Sequence, residues 1–121
     1  MKDQAANFLF QCKENYFKKI TPSNLEVANF KEYKSLVKIA QEYFAEGKYE
    51  EFANFLQEGQ YFVALWAAHL IIDFGKPDKI IEDKALEIIK DYSTHPLFLE
   101  VAEEEKNWIN KNKLKFKNLL S

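Results

Sequence analysis

Arginine is missing from this chain, so all 17 of its basic residues are lysine. Guanidinium groups provide the bidentate grip on phosphate and guanine that sequence-specific nucleic-acid binding uses, and their absence argues against that class. A single cysteine, Cys12, excludes a disulfide framework and any multi-cysteine zinc site. Set among Phe8, Leu9 and Tyr16, it reads as a buried structural thiol rather than a reactive one. Three glycines and three prolines are too few for the many turns of an all-β protein. The same scarcity leaves no glycine-rich phosphate loop, and no HExxH, CxxC or EF-hand pattern occurs. The longest apolar run, Tyr61 to Ile72, is broken by His69 and falls short of the roughly 20 residues that span a bilayer. The first residues lack a continuous signal-peptide core. These absences lead to the expectation of a soluble, cytoplasmic, non-enzymatic protein with no membrane partner, metal or cofactor.

What is present suits long helices. Apolar residues make up 47% and charged residues 30% of 121 positions, enough for one domain that buries roughly two thirds of its unfolded surface. Apolar residues recur at helical spacing in six segments. The first, residues 3–20, presents Ala5, Phe8, Leu9, Cys12, Tyr16 and Phe17, and Thr21-Pro-Ser-Asn24 closes it. The second runs from about Leu25 to Glu46 and ends at Gly47; the third spans about Tyr49 to Gln57. In the fourth, Val63 to Phe74, one stripe is Val63, Trp66, Ala67, Leu70, Ile71 and Phe74, and a second is Leu65, Ala68 and Ile72. A helix apolar on two sides packs between neighbours. Asp78 is placed to cap the fifth, Lys79 to Tyr92, and the sixth runs from about Pro96 to Asn110. A lysine-rich segment, 111–121, follows, in which Leu114, Phe116, Leu119 and Leu120 could pack.

Shifting the sequence by 33 or 34 residues lays Phe52-Ala-x-Phe-Leu56 over Ala85-Leu-x-Ile-Ile89, and Val63, Ala67, Ala68 and Phe74 over Leu97, Val101, Ala102 and Trp108. That period suits paired-helix repeats. The paired alanines of segment four, Ala85-Leu86-x-x-Ile89, Ala102 with Trp108, and Asn29-x-x-x-Tyr33-x-x-Leu36-Val37-x-Ile39 resemble HEAT/ARM-like α-helical repeat proteins. More narrowly they resemble a small bacterial family with that fold whose function is not known. The resemblance covers about residues 25–110 and implies an α/α superhelix of antiparallel helix pairs with a binding role. It brings no catalytic residues with it.

Few residues invite chemistry. His69 and Asp73 lie four apart, on one helix face, where a hydrogen bond between them is the simplest reading. A catalytic role needs a nucleophile, and none is evident beyond Cys12. His95 precedes Pro96 in a helix-start loop. Asp78, Glu82 and Asp83 suggest a metal site, but acids at a helix start are accounted for by the macrodipole. The charge distribution is more informative. Residues 61–105 hold ten acids against four lysines, and residues 106–121 hold five lysines and no acid. Asp83, Glu87 and Asp91 stack along one stripe of segment five, and Glu100, Glu103 and Glu104 share a face of segment six.

The expected function is therefore a non-catalytic protein-binding module that docks a basic partner through these acids, with His69 and Asp73 at the edge. Its concrete form is an immunity or antitoxin-like protein. The alternative is a nucleic-acid-associated protein using the basic end Lys106, Lys111, Lys113, Lys115 and Lys117, with Phe116 free to stack on a base. A homodimer seeded by exposed Phe and Tyr is also open.

Overall fold

The computed structural model describes residues 3–116, and these form six α-helices, three short 3-10 turns and no strand. The all-α class is as expected. α1 spans Gln4–Phe17, α2 Lys31–Ala45, α3 Tyr49–Ala53, α4 Val63–Phe74, α5 Lys79–Tyr92 and α6 Leu99–Asn112; the 3-10 turns are Leu25–Val27, Asn54–Gln57 and Gln60–Phe62. No helix among the described residues is long and apolar enough to cross a membrane.

α4 is the centre of the molecule. It packs against α1, α2, α3 and α5 and against the two 3-10 turns that follow α3. Every residue from Val63 to Ile71 is buried. Ala67 and Ala68, both 0% exposed, let neighbouring backbones come close on two sides. Burying each Leu or Ile here stabilises the fold by about 1.5–3 kcal/mol. The two apolar stripes of the sequence thus correspond to two sets of neighbours, except at Phe74, which is 40% exposed where the helix ends. Gly75 ends the helix by donating its N–H to Ile71 O at 3.0 Å. A Cβ there would stand 2.8 Å from that same oxygen and 3.4 Å from the Phe44 ring, so only glycine fits.

Several boundaries differ from expectation, each for a local reason. α1 stops at Phe17 because Lys19 turns left-handed (φ 60°), sending Ile20, 3% exposed, back into the core. The second segment is broken. Asn24 does act as a cap, accepting from Glu26 N at 2.9 Å, but it caps only the turn Leu25–Val27. Val27 is buried there, the chain redirects, and α2 starts at Lys31 behind an uncapped Phe30. The third segment changes from α to 3-10 at Asn54, which drops Phe55 and Leu56 into the core. α6 begins at Leu99 rather than Pro96, because His95 accepts from Leu97 N and stacks on Tyr92, holding the loop. α6 also runs on to Asn112.

The entry to α4 carries strain. Tyr61 and Phe62 have φ of 52° and 57°, a conformation that costs a non-glycine residue about 1–2 kcal/mol. Aromatic packing offsets it: Phe62 meets Tyr16, Tyr92 and Phe98 with ring centroids 4.9–5.8 Å apart. At the other end, Phe116 is buried against Leu86 and stacks on Trp108. The lysine-rich segment is therefore folded down as far as Phe116, and this ring is not free to stack on a base. Lys117, Leu119 and Leu120 lie outside the described residues.

Candidate functional site

α6 presents Val101, Ala102, Glu105, Trp108 and Ile109 on one stripe, and Glu105 is the polar member of that apolar face. It is 0% exposed. α4 presents His69, 2% exposed, on its buried surface, where the Trp66 indole N–H is also enclosed. The two meet: His69 Nε2 lies 2.6 Å from Glu105 Oε1. Ser23 Oγ, from the loop between α1 and α2, lies 3.0 Å from the same nitrogen. Trp108 sets an edge against the imidazole at 5.0 Å. His69 is therefore inside the molecule and beneath Ser23, rather than at the edge of a surface, and its carboxylate partner is Glu105 rather than Asp73. Packing decides this, since Asp73 sits one turn further along α4 where the helix emerges into solvent.

Ser23, His69 and Glu105 have the composition of a nucleophile–base–acid triad but not its geometry. A relay needs the acid on one imidazole nitrogen and the hydroxyl on the other. Here both oxygens address Nε2. One N–H can be shared between them, but no path leads from the hydroxyl through the ring to the carboxylate. The arrangement works as a clasp. Thr21 Oγ1 donates to Glu104 Oε1 at 2.6 Å, Tyr33 OH donates to Pro22 O at 3.3 Å, and Ser23 meets His69. Three successive loop residues are thereby fastened to α6, α2 and α4.

The carboxylates here are crowded. Burial raises the pKa of Glu104, and the nearby charges of Glu105 and Glu100 add to that against the lowering effect of Thr21. Burial also raises Asp73, opposed by His69 and Lys115. Tyr33 is raised by burial and, after that, by the charges of Asp73 and Glu105. Cys12 is fully enclosed, and burial pushes its thiol far above the usual range, so it stays protonated.

The acids named from sequence fall on two separate surfaces. On α5, Asp83 pairs with Lys79 at 3.2 Å. Glu87 and Asp91 line a cleft of about 480 Å³ against α3, which they share with Lys84. On α6, Glu100 and Glu104 line a groove of about 470 Å³ against the end of α1, together with Phe17, Leu97, Phe98 and Leu99. Glu103 is exposed beside them. Asp78 is engaged as the cap of α5, accepting from Ile81 N at 2.9 Å. No group of three or more His, Cys, Asp or Glu side chains among the described residues is arranged to hold a metal ion.

Sequence reading missed the Ser23–His69–Glu105 cluster because its members are 46 and 36 residues apart. One signal was present: Glu105 falls at i+3 and i+4 from Ala102 and Val101, on the apolar side of α6. A carboxylate there requires a buried partner, and His69 is the only polar residue between Val63 and Ile72. Compared with known protein families, curated protein sequences and solved structures, the chain finds no match.

Proposed function

We propose that this protein is a non-catalytic protein-binding module that docks a basic, amphipathic segment of a partner protein in the α1–α6 groove. One observation carries the reading. Large apolar side chains that a folded monomer normally covers, Leu97 (79% exposed), Leu99 (72%) and Phe17 (66%), converge on one groove beside Glu100 and Glu104. Clustered exposed apolar side chains rimmed by charge are the signature of a protein-interaction site. The carboxylates add selectivity for a positively charged partner and speed its encounter. The α5 acids are left out of this surface, since lysines accompany them. The HEAT/ARM-like resemblance points the same way, because such arrays bind other proteins. An immunity or antitoxin-like role, covering a basic toxin, is the concrete form of the proposal. Its test is Leu97→Lys with Leu99→Lys. The double variant keeps the helical circular dichroism of the parent and loses the partner in pull-down; retention of the partner by a folded double variant removes the groove from the account.

A further inference from the structure

The groove does not end at Glu104. Asn24 and Glu104 belong both to it and to an adjoining cleft of about 370 Å³. Glu26 of the first 3-10 turn, Tyr33 of α2, Asp73 of α4, and Trp108 and Lys111 of α6 form its walls. Three carboxylates, Glu26, Asp73 and Glu104, thus share the cleft with the ammonium of Lys111, and the charge of Lys115 also acts on Asp73. No ion pair among the described residues involves any of them. Glu105 is fully buried, its Oε2 has no hydrogen-bond partner among the described residues, and its Oε1 reaches the cleft through His69 and Ser23. Burial penalises the ionised forms of Asp73 and Glu104 in the cleft wall and raises their pKa values.

A cation entering here would relieve that penalty, and the geometry limits which cation. The carboxylates come from three different elements and are not grouped for a metal ion. An ammonium is a compact, strongly hydrated point charge, whereas a guanidinium offers five donors in a plane and is weakly hydrated. A planar cation can also lie against the Trp108 and Tyr33 side chains.

We propose that this cleft is a subsite for the guanidinium of an arginine side chain, which the partner places there while its apolar residues occupy the adjoining groove. The placement of the partner rests on the docking function proposed above; the cation preference does not. The probe is N-acetyl-L-arginine amide, titrated into the full chain and followed by the indole N–H resonance of Trp108, with the core indole of Trp66 as the internal reference. The neutral urea isostere, N-acetyl-L-citrulline amide, is the control.

A saturable shift of Trp108 with the arginine probe is expected, with no saturable shift from citrulline. Binding should weaken about fivefold or more in Asp73→Asn with Glu104→Gln, which removes two charge-assisted contacts and keeps side-chain shape. Equal response to citrulline, unchanged affinity in the double variant, or no saturation at all would overturn the subsite. Equal affinity for N-acetyl-L-lysine amide would overturn the guanidinium assignment. The two proposals fail separately. A chain that binds the arginine probe but keeps its partner after Leu97→Lys and Leu99→Lys has lost the groove and kept the subsite; the reverse pattern loses only the subsite.

Discussion

Glu105 shows most clearly what a single residue decides in this molecule. A fully buried carboxylate is tolerated because His69 meets it, and removing one partner leaves the other stranded. Losses on breaking such a pair are about 3–5 kcal/mol. Glu105→Ala should therefore lower the urea-denaturation free energy by an amount in that range. The paired apolar change His69→Leu with Glu105→Met should be less destabilising than either single substitution; if it is worse than both, the pair is not coupled as described. Asp73 carries the opposite expectation. Its folded-state pKa is raised, so the folded chain binds this proton more tightly than the unfolded chain does. The ionised group thus weakens the fold at neutral pH, and that penalty fades as pH falls through its raised folded value. Asp73→Asn should be at least as stable as the parent at pH 7, and the difference should vanish in acid. A destabilised variant at pH 7 would mean that the carboxylate makes a contact the fold depends on. Apart from the place of Glu105 on the apolar side of α6, none of this was visible along the sequence, because the partners of His69 and Glu104 come from distant segments.

Helices were largely legible from spacing, and their ends were not. Period 3.6 located all six because the stripe of each is buried against α4 or its neighbours. Asp78 was recognisable as a cap because its side chain acts within three residues. The errors fall where tertiary packing sets the boundary: Ile20 and Val27 are drawn inward, and Phe30 heads α2 without any side-chain hydrogen bond. Those positions are where stability can be gained. Phe30 is 47% exposed in a cap-competent extended conformation, so Phe30→Asp should add about 0.5–1 kcal/mol. Lys19 is exposed at φ 60°, and Lys19→Gly should add about 1 kcal/mol by relieving the left-handed turn. Thermal denaturation of each variant checks both, and a lower midpoint for either contradicts the boundary assigned there. Gly75→Ala should have the opposite effect, since its Cβ has no room.

For the whole molecule, the charge segregation read from sequence resolves into surfaces of different character. The acids of α5 are interleaved with lysines, while those of α6 border an apolar groove and an adjoining cleft. Sequence could count the acids but could not show that Phe17, from the first helix, comes to stand beside Leu97 and Glu104. Folding brings these residues together through the clasped loop at Thr21–Ser23, which spans 83 residues of sequence at its Thr21–Glu104 contact. The most direct measurement is a parallel capture of the native partner by three chains, with nuclease present: the parent, Leu97→Lys with Leu99→Lys, and Glu87→Lys with Asp91→Lys. The account predicts one near-stoichiometric basic protein on the parent and on the α5 variant, and its loss from the groove variant. A partner lost from the α5 variant but kept by the groove variant would contradict it, as would capture that disappears in every chain once nuclease is added.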